Sequence, residues 1–266
     1  MNIKELNHVA IRTAGMDKAL GFYRDILGGT VIRDASSPDG KSRFVYVQIV
    51  DGVIELIQGT AGADNLGLQH IAYLVTDDTD LDAFAADLKQ QGYRFTVEPK
   101  KTASGDGRLC FFEDKSGAVF ELIQRKENIR IPNLGNPYIL EFDHISVRLH
   151  DSNFKECNNF YLNTMGFTVR RILEKPGLVM HYYSWGKDTL ETLYSEGREK
   201  DPKPLGHIAF RVEDTGKTKT YLEACGIECP APKESGLGGF NIMNVKGPDG
   251  EILEFLDRPA LETFGR

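Results

Sequence analysis

The sequence predicts an α+β fold in which one strand–helix–strands unit is used four times. Three observations carry this reading: four strand openings that share a histidine, four helical stretches that stop at glycine, and four closing strands that enclose a glutamate.

The openings are Leu6-Asn7-His8-Val9-Ala10-Ile11, Leu68-Gln69-His70-Ile71-Ala72-Tyr73, Phe142-Asp143-His144-Ile145-Ser146-Val147 and Leu205-Gly206-His207-Ile208-Ala209-Phe210. Each alternates with period two, the signature of a strand with two different faces. One face carries Val9 and Ile11, Ile71 and Tyr73, Ile145 and Val147, or Ile208 and Phe210, and is expected to pack in a core. The other carries the histidine, then a small residue (Ala10, Ala72, Ser146, Ala209), then usually an arginine (Arg12, Arg148, Arg211).

Helical spacing of apolar residues follows each opening, over Asp17–Leu27, Asp80–Gln91, Asn153–Met165 and Thr215–Cys225. Gly28, Gly92, Gly166 and Gly226 stand where a left-handed residue ends a helix. The closing strands are Val53–Ile57, Val119–Ile123, Thr189–Leu193 and Ile252–Leu256, which hold Glu55, Glu121, Glu191 and Glu254. His8 to Glu55, His144 to Glu191 and His207 to Glu254 are each 47 residues apart, and His70 to Glu121 is 51. The connection from Arg125 to Tyr138, with Pro132, Gly135 and Pro137, divides the chain into halves of two units each, 1–126 and 138–266, joined by a linker over 127–137.

Composition removes several classes of function. The chain has 266 residues and a formal net charge of −7, which argues against nucleic-acid binding because phosphate contacts need a cationic surface. No apolar run reaches the ~18–20 residues of a membrane span, and Met1 to Leu6 lacks the apolar stretch of a signal peptide. The four cysteines, Cys110, Cys157, Cys225 and Cys229, suit neither a disulfide framework nor a Cys-type zinc site. A cytoplasmic protein with reduced thiols, monomeric or homodimeric, is therefore expected.

A glutamate flanked by Ile, Leu or Val is costly to bury unless it is paired, hydrogen-bonded or bound to a metal. Four of them, each matched to a histidine at the same place in its repeat, are hard to explain as core. The chain has six histidines; His150 and His181 fall outside this column and receive no role. Two units together bring two histidines and two glutamates into one set. Imidazole and carboxylate donors suit a divalent ion of zinc, nickel, manganese, iron or cobalt. Two histidines and one carboxylate would equally form the facial triad of ferrous oxygenases. Arg12, Arg148 and Arg211 either balance these glutamates or recognise an anionic small-molecule substrate through the guanidinium fork.

These residues give the chain its resemblance to the vicinal-oxygen-chelate superfamily, which includes glyoxalase I, methylmalonyl-CoA epimerase, extradiol dioxygenases and the fosfomycin and bleomycin resistance proteins. The segments Ala19–Gly28 and Gly247–Glu254 carry it alongside the four openings. The resemblance implies βαβββ units, two of which form a cupped mixed sheet around one metal, with ligands on the first and fourth strands. Carried over, His8, Glu55, His70 and Glu121 form one set, and His144, Glu191, His207 and Glu254 the other. If units exchange partners, the sets become His8, Glu55, His207 and Glu254 with His70, Glu121, His144 and Glu191; both arrangements stay open at this stage.

Among members of the superfamily, a metal-dependent lyase or isomerase acting through an enediolate on a small α-hydroxy- or α-oxo-carbonyl compound suits full ligand sets. By resemblance Glu121 and Glu254 serve as the bases that move the proton. A ring-cleaving extradiol dioxygenase is the alternative. In those enzymes a tyrosine acid stands ten residues before the last glutamate, where this chain has Asn244. A drug-binding member without catalysis is the third reading, weakened because such proteins lack the metal ligands.

Overall fold

The computed structural model describes residues 3–59, 65–103, 105–126, 128–199, 201–236 and 239–260. Strands β1 (Ile3–Thr13), β2 (Thr30–Ser36), β3 (Arg43–Ile49) and β4 (Gly52–Gln58) come from the first repeat, and β5 (Gly67–Val75), β6 (Arg94–Lys101), β7 (Gly107–Glu113) and β8 (Val119–Arg125) from the second. The third repeat supplies β9 (Ile139–Leu149), β10 (Thr168–Lys175), β11 (Leu178–Trp185) and β12 (Asp188–Ser195). The fourth supplies β13 (Leu205–Val212), β14 (Lys233–Glu234), β15 (Asn241–Lys246) and β16 (Ile252–Leu256).

They form two eight-stranded sheets of matching order, β2-β3-β4-β1-β5-β8-β7-β6 and β10-β11-β12-β9-β13-β16-β15-β14. Both are mixed: β5–β8, β9–β12 and β13–β16 run parallel, while the outer pairs are antiparallel. The expected α+β architecture of four units in two domains is therefore the observed one. By packing, the described chain also gathers into two compact units, one from segments 1–10, 69–128 and 145–206, the other from 11–68, 129–144 and 207–266.

Alternation along the opening strands does what the sequence requires. Val9, Ile11, Ile71, Tyr73, Ile145, Val147, Ile208 and Phe210 are each at most 2% exposed. The histidine face carries a second regularity. In the parallel pairs, Ala72 lies beside Glu121, Ser146 beside Glu191 and Ala209 beside Glu254. Beside Glu121 and Glu254 the small side chain leaves the carboxylate room to turn toward the histidine two residues away on the neighbouring strand.

Helices α2 (Leu81–Gln90) and α4 (Thr215–Ala224) are regular, and each begins at an aspartate, Asp80 or Asp214, whose side chain accepts from the backbone N–H three residues on. Helices α1 (Met16–Leu20) and α3 (Phe154–Asn159) depart from the regular helices expected over Asp17–Leu27 and Asn153–Met165. They continue as π-helical turns over Gly21–Ile26 and Phe160–Thr164, closed by bonds from Leu27 N to Phe22 O and from Met165 N to Phe160 O, both 2.9 Å. The wider turn brings two adjacent aromatics inward together. Phe22 with Tyr23, and Phe160 with Tyr161, are all buried. The Tyr23 hydroxyl donates to buried Glu251, and the Tyr161 hydroxyl to buried Asp114. All four helices are followed by the expected left-handed glycine, Gly28, Gly92, Gly166 or Gly226, with φ between 70° and 82°.

The connection between β8 and β9 contains no helix or strand among its described residues, and side chains pin it down. Gln48 exchanges two hydrogen bonds with the backbone of Ile131, and Asn136 donates to Leu27 O while accepting from Tyr138 N and Ile139 N. No helix of the described residues is long and apolar enough to cross a membrane. All four cysteines are free thiols, as expected.

Candidate metal centres

Two groups of titratable side chains converge, and each joins neighbouring repeats of one sheet. In the first, His8 from β1, His70 from β5 and Glu121 from β8 meet in the interior. His8 Nε2 lies 3.2 Å from His70 Nε2, and Glu121 Oε2 lies 3.2 Å from each of them. Ligands about 2.0–2.1 Å from a tetrahedral ion stand roughly 3.3 Å apart, so the spacing matches a first coordination sphere. His8 Nδ1 is 2.9 Å from Asn7 Oδ1, and the Phe111 ring meets the His70 imidazole edge to face. Burial pushes the Glu121 carboxyl up, but the two imidazoles outweigh it and hold the group well below the usual carboxylate range. Two imidazole nitrogens and a carboxylate oxygen this close, shut away from water, form an electron-rich pocket that a cation or a shared proton must neutralise. The donor chemistry thus fits a divalent ion.

The second group joins His144 from β9, His207 from β13 and Glu254 from β16. His144 Nε2 is 3.0 Å from His207 Nε2, while Glu254 Oε1 stands off at 4.0 and 3.8 Å from the two rings. This group is more open: the side chains of His207 and Glu254 are 15% and 13% exposed, against 8% and 4% for His70 and Glu121. Its outer contacts are ionic. His144 Nδ1 is 2.6 Å from Asp143 Oδ1, and Arg258 Nη2 donates to both oxygens of Asp143 at 2.6 and 2.7 Å. Burial raises the Asp143 carboxyl, but the bond to His144 and the charges around it win and keep it below its ordinary value.

Of the two pairings left open by the sequence, the structure forms the one within each half: His8 meets His70, and His144 meets His207. Glu55 and Glu191 are buried at the equivalent fourth-strand positions, opposite Tyr46 and Tyr182 across their antiparallel pairs. Each falls in the other compact unit from its repeat's histidine, and neither belongs to the three-residue groups. The arginines occupy the histidine face as expected. Arg148 donates to Asp201 at 2.9 Å and Arg211 to Glu141 at 2.7 Å, so each has a carboxylate partner other than the repeated glutamates. Arg12 is half-buried beside Gly59. The two histidines given no role are engaged elsewhere, His150 with Ser152 and His181 with Tyr183.

Near the second group the antiparallel register sets Asn244 directly opposite Glu254. A cleft of about 790 Å³ opens beside that strand, lined among others by Lys18, Phe22, Ile227, Pro230, Asn244 and Lys246. Sequence reasoning passed over Asn7, Asp143 and Arg258. A signal existed for the first two: they stand in register with the apolar face, where a polar residue needs a buried partner.

The glyoxalase/bleomycin resistance protein/dioxygenase superfamily model matches residues 5–122 and again 141–255, and the chain belongs to that family. A lactoylglutathione lyase of Arabidopsis thaliana is 25% identical over 96% of this chain and 89% of its own length. A probable lactoylglutathione lyase of Synechocystis is 33% identical over 45% of this chain and 94% of its own length, one half against one whole protein. Among solved structures, a Mn(II)-bound glyoxalase from Novosphingobium aromaticivorans superposes with a TM-score of 0.70 at 18% identity, covering 98% of this chain and 85% of that one. The 2,3-dioxygenase LapB from Pseudomonas sp. KL28 gives 0.68 at 16% identity, covering 96% and 92%. These last two likenesses speak for the fold alone.

Proposed function

We propose that this chain is a metal-dependent lyase or isomerase that works through an enediolate on a small α-hydroxy- or α-oxo-carbonyl compound. The observation that carries the reading is the twofold His–His–Glu convergence, with donor atoms at coordination spacing and an ionised carboxylate in the first group. His8, His70 and Glu121 would hold one divalent ion, and His144, His207 and Glu254 a second. A bound ion would supply Lewis acidity toward the two adjacent oxygens of such a substrate, which acidifies the C–H on the carbon next to the carbonyl.

The proton itself is the work of the chain's own groups. Glu121 and Glu254 act as the carboxylates that take the proton from one carbon and return it to its neighbour, a transfer that leaves no atom or electron unbalanced. The imidazoles keep Glu121 ionised, at a cost in basicity. Glu254, farther from its imidazoles and partly exposed, has the freedom to reach a substrate carbon. Arg12, Arg148 and Arg211 serve as contacts for an anionic part of the substrate. The names of the relatives point to a thiol conjugate of an α-oxo-aldehyde as the first substrate to try.

The test is metal content on protein purified without chelator, followed by turnover in deuterated water with methylglyoxal, with and without glutathione. Up to two ions per chain and deuterium in the product are expected. Protein that takes up no divalent ion overturns the reading. A ring-cleaving dioxygenase is favoured by one observation, that the converging set is two histidines and one carboxylate. Against it, Asn244 offers opposite Glu254 an amide that cannot donate a proton as an acid. Oxygen uptake with ferrous iron and catechol would decide for that alternative.

A further inference from the structure

The two groups of histidines differ behind the ligands, and the difference has a chemical meaning. Behind His144 stands a carboxylate, Asp143, clamped by both of its oxygens to the guanidinium of Arg258. Behind His8 stands an amide, Asn7. The three supporting side chains are interior, as is His144: Asn7 is 1%, Asp143 2%, Arg258 4% and His144 2% exposed.

An ionised carboxylate can only accept from imidazole, and Arg258 Nη2, in contact with both of its oxygens, holds it in place behind His144 Nδ1. The proton of neutral His144 is therefore fixed on Nδ1, and the Nε2 lone pair is turned toward His207 and Glu254. An amide imposes no such choice, because its oxygen accepts and its nitrogen donates. Asn7 Nδ2 has no hydrogen-bond partner among the described residues, so nothing else holds the amide in one orientation. His8 can thus carry its proton on Nδ1, toward Asn7, or on Nε2, toward Glu121 Oε2 at 3.2 Å.

We propose that Arg258 is a positioning residue of the C-terminal centre, locking His144 through Asp143 in the tautomer that a cation needs, while the N-terminal centre has no such lock. The proposal rests on the reading of these groups as metal centres. Arg258 touches neither substrate nor ion; it acts on His144 through the carboxylate. Outer partners of this kind orient a ligand imidazole and strengthen its donor nitrogen, and losing one typically costs about 10–100-fold in metal affinity. His144 itself then needs no proton shift before it donates to an ion, whereas His8 must release the Nε2 proton whenever it holds one.

Long-range proton–nitrogen correlation of the imidazoles, on the full metal-free chain at pH 8, reads the tautomers directly. His144 is expected as the Nδ1–H form alone, and Arg258→Gln should turn it into a mixture. In a zinc titration of the same chain, Arg258→Gln should weaken one of two binding steps by about 10–100-fold and leave the other unchanged. Asp143→Asn, close in shape to the natural residue, should do the same and serves if the arginine variant does not fold. His144 found as Nε2–H in the wild type, or both zinc steps weakened equally, or neither weakened, overturns the proposal. Failure of the wild type to bind zinc at all overturns the metal reading above, and the tautomer measurement, which needs no metal, still decides this one.

Discussion

The first centre is tight, dry and supported by a neutral amide; the second is looser, wetter and supported by a buried ion pair. Glu121 sits 3.2 Å from both imidazoles, whereas Glu254 stands 3.8–4.0 Å from its own. One repeat, copied four times, has thus diverged at the same geometric place in two directions. A carboxylate pressed against two imidazoles is well held and poor at moving. One held less closely is free to reach a substrate, and the ionic relay through Asp143 secures the ligand beside it. Under the proposed function, this contrast would weight the first carboxylate toward holding an ion and the second toward moving a proton.

Replacing the two glutamates in turn is the strongest way to break that comparison. Glu254→Gln should lower substrate-dependent solvent exchange by about 10²–10⁴-fold, the usual contribution of a positioned base. Glu121→Gln should lower exchange less and act more on ion retention at the first centre, measured as bound metal per chain. If the two variants lose exchange equally and retain equal metal, the proposed division is wrong.

A smaller effect is expected at the two buried tyrosine–carboxyl pairs. Tyr161→Phe removes a donor from Asp114, and Tyr23→Phe removes one from Glu251; each should cost about 1–3 kcal/mol in urea unfolding. Burial raises both carboxyls above their ordinary values, while the tyrosine bonds pull them back down. An acid whose folded value is raised contributes stability below its unfolded pKa, near 4, and loses it as pH rises through the folded value. The hydroxyl stabilises the ionised form, so the penalty of each Phe variant should be larger at pH 8 than at pH 4. A penalty independent of pH would show that the carboxyls stay protonated throughout.

The smallest effects belong to the arginines. Arg148→Ala and Arg211→Ala each break a partly exposed ion pair and should change stability by less than about 1 kcal/mol. If they bind an anionic substrate, the Michaelis constant rises while the maximal rate stays near its original value. An unchanged Michaelis constant in both variants would leave them as charge balance alone.

The sequence shows the architecture because the repeat announces it. Four histidine-bearing strands, four glycine-ended helices and four glutamate strands are period-two and helical patterns that survive without any tertiary knowledge. The column of His8, His70, His144 and His207 was legible for the same reason, and Glu121 and Glu254 with it. Which repeats would pair was not legible, because every repeat carries the same donors and pairing is decided by sheet order. The π-helical turns at Phe22–Tyr23 and Phe160–Tyr161 escaped because spacing of apolar residues does not distinguish a slightly wider turn. Arg258 escaped because it lies outside the repeat, two residues beyond the last strand, and only the folded chain brings it to Asp143.

The tyrosine–carboxyl bonds also set a clock. Tyr23 waits for Glu251, 228 positions later in the chain, whereas Tyr161 finds Asp114 already made. At about 5–20 residues per second of synthesis, the Tyr23 hydroxyl waits on the order of ten seconds or more for its acceptor. A chain arranged this way completes the buried polar pairing of its first repeat last, and that of its third repeat as soon as the repeat itself is made.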